Sequence, residues 1–241
     1  TFDSEWQNSR QKAKVIVTKK EKDSDRVLEG GVFALCAKED IKNTDGDVLV
    51  KADTIMEQKA TDKDGKIFFT ADLPVGGSFY VKEVKAPAGF VTTEEVKEFT
   101  FEYAGADVPE VTFEHTFENE ATIFEITKSD LTTGEELPGA KLEVTDQDGT
   151  VVDEWTSGTE PHIIKELEVG KEYTLTETLP ADGYVTAESI TFTVENTAEV
   201  QKVEMKDDVT KVEISKTDIS GKELPGAKMT VLDKDGNAVE S

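Results

Sequence analysis

The sequence predicts an all-β protein made of tandem units, each a β-sandwich or a β-barrel, on three observations. Short runs rich in β-branched and aromatic residues alternate with polar ones, as in KIFFTADL at 66–73 and EVTFEHTF at 110–117. One hairpin-forming segment occurs three times along the chain. No apolar residues recur at helical spacing, and only 51–60 would suit a short helix or a loop. Asp-Gly pairs, which favour tight hairpin turns, divide the runs at 45–46, 64–65, 148–149 and 235–236.

The repeated segment is the feature that organises the chain. It reads TIFEITKSDLTTGEELPGAKLEV at 122–144 and TKVEISKTDISGKELPGAKMTV at 210–231, with a weaker copy, VIVTKKEKDSDRVLEGGVFAL, at 15–35. Spacings of 109 and 88 residues between the matched lysines make the first unit the longer. Its extra length, between residues 37 and 66, predicts a surface loop or an added hairpin. The matched lysines are Lys19, Lys128 and Lys216.

The copies also set the expected domain boundaries. They predict one domain at 12–120, a second at 121–209, and the opening hairpin of an incomplete third at 210–241. Residues 1–11 are interpreted as the tail of a preceding unit, so the sequence is expected to be a slice of a longer polypeptide. No Gly/Ser-rich linker separates the units, which favours a stiff rod. Because half a sandwich cannot bury its apolar face, residues 210–241 should be frayed, packed on the second unit, or paired with another chain.

Composition narrows the class of protein. With 52 acidic and 27 basic residues the net charge is −25, which argues against nucleic acid or an anionic membrane as partner. No apolar run is long enough to cross a bilayer, and the single cysteine, Cys36, excludes an internal disulfide framework. His115 and His162 lie in different units, and the Asp-rich turns lack the EF-hand spacing. Neither a metal nor a cofactor is therefore expected.

Two further positions recur with the lysine and predict a chemical site. The segments SFYVKEVKAPAGFV and EYTLTETLPADGYV align Glu83 with Glu177. The segments TFENEAT and EMKDDVT align Asn119 with Asp207, and these two lie 88 residues apart, like the second and third lysines. Each glutamate, and the lysine of the first and second copies, comes two residues after an apolar strand residue. These side chains are therefore expected to point toward the core.

A lysine, a carboxyl group and a carboxamide buried together can react. Burial favours the neutral forms of an amine and a carboxyl group. A neutral amine is a nucleophile, and a protonated carboxyl group can polarise a carbonyl and shuttle protons. The lysine could thus form an amide with Asn119, releasing ammonia, or with Asp207, releasing water. The alternative is an ordinary ion pair or a solvated cross-strand pair.

Three further residues leave the assignment of the reacting side chains open. Lys20 directly follows Lys19, so either could be the reactive lysine of the first unit. Asp208 follows Asp207, and Asn196 offers a carboxamide elsewhere in the second unit. Asn196 is interpreted as part of a hairpin turn, in ENTAE.

The motifs VEISKTD…ELPGAK and YTLTET…PADGY resemble those of SpaA-type pilin and Cna protein B-type (Cna-B) domains of Gram-positive surface proteins. The resemblance covers 12–209 as two domains and 210–241 as the start of a third. It implies transthyretin-like, inverse-immunoglobulin sandwiches, many of which carry a Lys–Asn or Lys–Asp isopeptide bond promoted by a buried acid. One departure is Glu-Gly-Gly at 29–31, where the other copies have Pro-Gly-Ala.

Carried over residue by residue, the resemblance assigns two complete triads. Asn8 would be the acceptor closing a preceding domain, and Lys216 the lysine of a third domain whose acid and acceptor are missing. The triads are Lys19, Glu83 and Asn119 in the first domain, and Lys128, Glu177 and Asp207 in the second.

The expected function is therefore structural. The resemblance implies the stalk or shaft of a Gram-positive surface adhesin or pilin, extracellular and attached to the cell wall. Its partners would be neighbouring domains of the same polypeptide, and its chemistry a single autocatalytic event per domain rather than enzymatic turnover. One alternative is an adhesin domain that binds host matrix or glycan, with 37–66 as the candidate surface. Another is an enzyme or an accessory domain of one.

Overall fold

The computed structural model describes residues 10–240, and Asn8 lies outside them. All regular secondary structure in this range is β-strand, without a helix, which confirms the all-β prediction. It follows that none of the described residues forms a helix suited to crossing a bilayer.

The first sandwich packs a three-stranded sheet, in the order β6-β1-β9, against a four-stranded sheet, in the order β5-β2-β7-β8. Alternation in the sequence fixes the buried faces: in β7, Phe79, Val81 and Glu83 point inward while the intervening residues are partly exposed. The core is filled from both sheets, for example by Val17 and Phe33. The strands are β1 (Lys12–Glu21), β2 (Val32–Ala37), β3 (Ile41–Lys42), β4 (Val48–Val50), β5 (Ile55–Ala60), β6 (Lys66–Phe69), β7 (Ser78–Lys85), β8 (Val96–Thr100) and β9 (Glu110–Asn119).

The extra length of the first unit forms a short hairpin, β3–β4, ahead of the edge strand β5. Strands β3 and β4 pair only with each other, and Val48 and Leu49 at this hairpin are 43% and 65% exposed. The suggestion of a helix or loop at 51–60 is wrong for most of that stretch, because residues 55–60 form β5. Backbone pairing with β2, from Val32 opposite Ala60 onward, outweighs the weak helical pattern.

The second sandwich repeats this plan without the added hairpin. Its sheets have the orders β13-β10-β16 and β12-β11-β14-β15. The core again draws on both, for example through Ile126 and Leu175. The strands are β10 (Ile123–Asp130), β11 (Lys141–Thr145), β12 (Val151–Thr156), β13 (His162–Lys165), β14 (Glu172–Leu179), β15 (Ile190–Thr193) and β16 (Gln201–Asp207).

Asn196 does not lie in a hairpin turn, contrary to the sequence interpretation. It follows β15 and precedes β16, and these two strands belong to different sheets. The segment is therefore a crossing between the layers of the sandwich. A crossing loop needs the same turn-forming residues as a hairpin, which is why the sequence does not distinguish the two.

The first and last strands of each sandwich lie side by side and run parallel. In the first sandwich β1 pairs with β9 with Lys19 opposite Phe117, and in the second β10 pairs with β16 with Lys128 opposite Met205. Parallel neighbours of this kind place the two chain ends of a sandwich at opposite ends of the same strand pair. This arrangement brings residues about 100 positions apart into contact.

The third copy of the repeat forms its turns but no core. The amide of Leu224 donates to the carbonyl of Lys216 at 2.8 Å, as the matched leucines do to Lys128 and Lys19. Strands β17 (Val231–Leu232) and β18 (Ala238–Glu240) form a hairpin. Val212 and Ile214, however, are 76% and 52% exposed, because the described residues include no second sheet to cover them.

Candidate functional sites

Three buried side chains meet inside the first sandwich. Lys19 on β1 and Asn119 on β9 belong to the three-stranded sheet, and Glu83 on β7 faces them from the other sheet. Because Lys19 lies opposite Phe117, Asn119 comes two residues further along β9 and shares the same inward face. Lys19, Asn119 and Glu83 are 0%, 2% and 7% exposed, so all three are shielded from bulk solvent.

The three polar groups are in direct contact. The Lys19 amine donates a hydrogen bond to Oδ1 of Asn119. The Nδ2 of Asn119 donates to both carboxylate oxygens of Glu83 at 3.0 Å, and Nζ of Lys19 is 3.6 Å from Oε1 of Glu83. The backbone amide of Thr93 donates to Oε2 of Glu83 at 2.9 Å and fixes the carboxyl group in place.

The surroundings favour a neutral amine at Lys19. Burial is the main cause that lowers the pKa of Lys19 to about 8, while the neighbouring Glu83 charge acts in the opposite direction. Phe33 and Phe117 are fully buried, and their ring centroids are 4.9 Å apart. In the strand pairings Phe33 lies opposite Glu83 and Phe117 lies opposite Lys19, so both rings are next to the site. At pH 7 a lysine with such a pKa is neutral in about a tenth of the molecules, far more than a solvated one.

The second sandwich repeats this constellation with a carboxylate as acceptor. Lys128 on β10 and Asp207 on β16 lie in one sheet, and Glu177 on β14 faces them; all three are at most 4% exposed. The Lys128 amine is hydrogen-bonded to Oδ1 of Asp207 and lies 2.9 Å from Oε1 of Glu177. The backbone amide of Ala187 donates to Oε2 of Glu177 at 2.8 Å, matching Thr93 in the first site.

The surroundings of Asp207 shift its equilibrium toward the protonated carboxyl group. Burial raises the pKa of Asp207, the adjacent Glu177 raises it further, and Lys128 opposes both. Its Oδ2 is buried and has no hydrogen-bond partner among residues 10–240. A carboxyl oxygen without a partner in the core is costly for an ordinary folded site.

The residues that the sequence left as alternatives point elsewhere. Lys20 faces outward, with Nζ 3.4 Å from Asp25, and Asp208 pairs with Lys211 at 2.7 Å near the surface. The side chain of Asn196 accepts a hydrogen bond from the backbone amide of Thr92, in the first sandwich. The exposed Lys216 meets no acid or acceptor of the kind that faces the other two lysines among residues 10–240.

Sequence reasoning missed the backbone amides that hold the glutamates. Thr93 and Ala187 each come ten residues after the glutamate they bind. The spacing of ten residues is the same in both units and could have indicated these positions. A backbone amide donates whatever its side chain is, however, so the residue type gives no sign of it. Sequence reasoning also left out the side chains that screen the first site, Phe33 and Phe117.

Residues 10–240 contain no cluster of His, Cys, Asp and Glu that could hold a metal. His162 bonds to Asp153 at 2.9 Å and stacks on Trp155, whereas His115 is packed beside Phe99. Cys36 is fully buried, and burial raises the pKa of its thiol, which makes it an inert core residue.

Among solved structures, the Bacillus anthracis TIE protein is 26% identical, with a TM-score of 0.50, over 82% of this chain and 34% of its own. The shaft pilin SpaA from Lactobacillus rhamnosus GG is 16% identical, with a TM-score of 0.36, over 85% of this chain and 99% of its own. A streptococcal ancillary pilin is 24% identical, with a TM-score of 0.35, over 83% of this chain and 63% of its own. A search of curated proteins found no match.

The chain thus spans about a third of the length of the Bacillus anthracis TIE protein. The family model of SpaA, described as a prealbumin-like fold domain, matches residues 13–116 and 122–209. These two regions coincide with the two sandwiches and make up more than half of the chain. The protein therefore belongs to the SpaA prealbumin-like fold family.

Proposed function

We propose that each sandwich closes an amide bond between its first and last strands, and that the linked sandwiches form a stalk. The observation that carries this proposal is the same buried contact in both domains: a lysine amine against an Asn or Asp side chain, with a glutamate beside them. An ion pair alone is a weak reason to bury such groups, because desolvation offsets most of the attraction.

In the first domain the neutral amine of Lys19 attacks Cγ of Asn119. Glu83 takes a proton from the attacking nitrogen and passes one to Nδ2, which leaves as ammonia. The new bond joins Nζ of Lys19 to Cγ of Asn119, and Glu83 ends in the protonation state in which it began. The 3.0 Å contacts between Nδ2 and the Glu83 oxygens supply the path for the proton.

In the second domain the amine of Lys128 attacks Cγ of Asp207, and water is released. The raised pKa of Asp207 favours the protonated carboxyl group, which reacts where a carboxylate would not. Oδ2 of Asp207, the oxygen without a partner, is the one suited to leave, and Glu177 lies within reach of the amine to transfer the proton. Its departure removes one buried oxygen that has no hydrogen-bond partner among residues 10–240.

A stalk fits the family and the arrangement of strands. We infer a surface protein of a Gram-positive bacterium, a pilus shaft or adhesin segment, attached to the cell wall and joined to further domains of its own polypeptide. The SpaA family is structural rather than catalytic, so each bond is one event per molecule. The net charge of −25 suits a solvated outer surface and disfavours nucleic acid as partner.

A ligand-binding adhesin is the second candidate function. It is favoured by one observation, the β3–β4 hairpin, which the second sandwich lacks and on which Val48 and Leu49 are exposed. Replacing residues 41–50 by a short turn should abolish capture of host matrix protein or glycan if this hairpin binds it. Unchanged capture would assign the binding elsewhere.

The mass of the intact chain tests the proposed bonds. We expect the purified protein to be lighter than its sequence by one ammonia and one water. Glu83→Gln should restore the ammonia alone and Glu177→Gln the water alone, since a carboxamide cannot transfer the protons. A wild-type mass equal to that of the sequence would show that neither bond forms, and would not bear on the sandwich fold.

Bond formation in the first domain should depend on pH. Because Lys19 has a pKa of about 8, its reactive neutral form grows about tenfold per pH unit below that value and levels off above it. Chain isolated unreacted in denaturant can be refolded between pH 6 and 9 and quenched at intervals. Circular dichroism at each pH controls for folding. A rate of ammonia loss that falls as pH rises toward 8 would contradict a neutral amine as nucleophile.

A further inference from the structure

The second sandwich touches the segment that holds the glutamate of the first site. The backbone amide of Thr92 donates to Oδ1 of Asn196 at 2.9 Å, across the boundary between the two sandwiches. The next amide along the chain, that of Thr93, donates to Oε2 of Glu83. Two consecutive amides thus make a contact with the second domain and a contact that fixes the reacting acid of the first.

This boundary is closely packed. Thr122 is fully buried, and its backbone amide donates to the carbonyl of Gly89 in the first sandwich at 3.0 Å. The guanidinium group of Arg26 binds both carboxylate oxygens of Glu166, one of them at 2.9 Å. Gly89 has a φ of +83°, and a Cβ added there would lie 2.6 Å from the carbonyl oxygen of Glu166. These contacts hold the second sandwich against the turn that leads into Thr92.

Asn196 has no role in the chemistry of its own domain. The Lys128 site is built from β10, β14 and β16, whereas Asn196 is on the surface in the crossing before β16. Its side-chain oxygen instead accepts a bond from a neighbouring domain. Asn196 can therefore be changed without touching either triad.

We propose that Asn196 of the second sandwich is a positioning residue for the Lys19–Glu83–Asn119 site of the first. By fixing Thr92, it holds the amide of Thr93 in place and so orients the Glu83 carboxyl group. This inference rests on the proposed function, since it concerns the rate of the bond assigned there. Its consequence is an order of events: the first domain closes its bond fastest once the second has folded and docked.

The test follows both bonds in the same molecule. The chain of 241 residues, isolated unreacted in denaturant, is refolded, quenched at intervals and digested, and the two cross-linked peptides are quantified by mass. Asn196→Ala should slow the Lys19–Asn119 link about threefold to tenfold, the worth of one hydrogen bond, and leave the Lys128–Asp207 link unchanged. Asn196→Asp should restore the rate, because a carboxylate accepts the same bond.

Thr197→Ala is the matched control. Among residues 10–240 its hydroxyl accepts one bond, from the amide of Glu199 within the same crossing, so the substitution should change neither rate. An Asn196→Ala rate equal to wild type for the first link would overturn the proposal. Equal slowing of both links would also overturn it, because Asn196 would then act through the stability of its own domain. If either link is absent from the wild-type protein, that result would instead contradict the proposed function, which assigns one amide bond to each domain.

Discussion

Replacing Glu83 with Gln is expected to lower the free energy of unfolding of the first domain by roughly 5 kcal/mol. The variant keeps the size of the side chain but cannot transfer protons, so Lys19 and Asn119 stay unlinked. Their bond would close a loop of 100 residues, and by analogy with a disulfide such a loop is worth about 4.7 kcal/mol. For a domain of this size the transition should fall by tens of degrees in a calorimetric scan, at roughly 4–8 °C per kcal/mol.

The second domain provides the control for this experiment. Glu177→Gln should leave the first transition in place and lower the second, whose closed loop is 79 residues. The two variants together assign each transition to one domain. A Glu83→Gln protein that unfolds at the wild-type temperature, and that is lighter than its own sequence by the same ammonia and water, would show that the glutamate has no part in the reaction.

Pulling on the two ends of the chain should release almost no length from the linked domains. Force enters the first sandwich through β1 and leaves through its neighbour β9, and the proposed bond would join these two strands directly. The residues between Lys19 and Asn119 are then outside the path of the force. Without the bond, a chain segment of 100 residues is freed, which is roughly 330 Å when fully extended.

Single-molecule force spectroscopy measures this difference. Glu83→Gln should add one step of roughly 330 Å, and Glu177→Gln one of roughly 260 Å from its loop of 79 residues. The double variant should show both steps. Steps of these lengths in the wild-type protein would mean that neither domain is covalently closed, and that the two sandwiches resist force through non-covalent contacts alone.

The fold and the triads could be predicted because the relevant information repeats. The alternation of apolar and polar residues along the strands predicts that Lys19 and Glu83 point inward. The distance from Lys128 to Lys216 equals that from Asn119 to Asp207, and this shared spacing of 88 residues relates distant positions without a structure. The parallel pairing of β1 with β9 then brings those faces together in the structure.

Contacts that depend on the backbone or on a neighbouring domain could not be predicted. The amide of Thr93 binds Glu83 whatever its side chain, and Asn196 meets Thr92 only because two sandwiches dock. Residues 55–60 form a strand because β2 offers them an edge, and local propensity does not encode that edge.

Peptide mapping of the wild-type chain by tandem mass spectrometry tests the central claim most directly. We predict two branched peptides, one joining Lys19 to Asn119 with loss of ammonia, the other joining Lys128 to Asp207 with loss of water. The fragments would also separate Lys19 from Lys20 as the reacting residue. Linear, unmodified peptides that carry Lys19 and Lys128 as free amines would contradict the account.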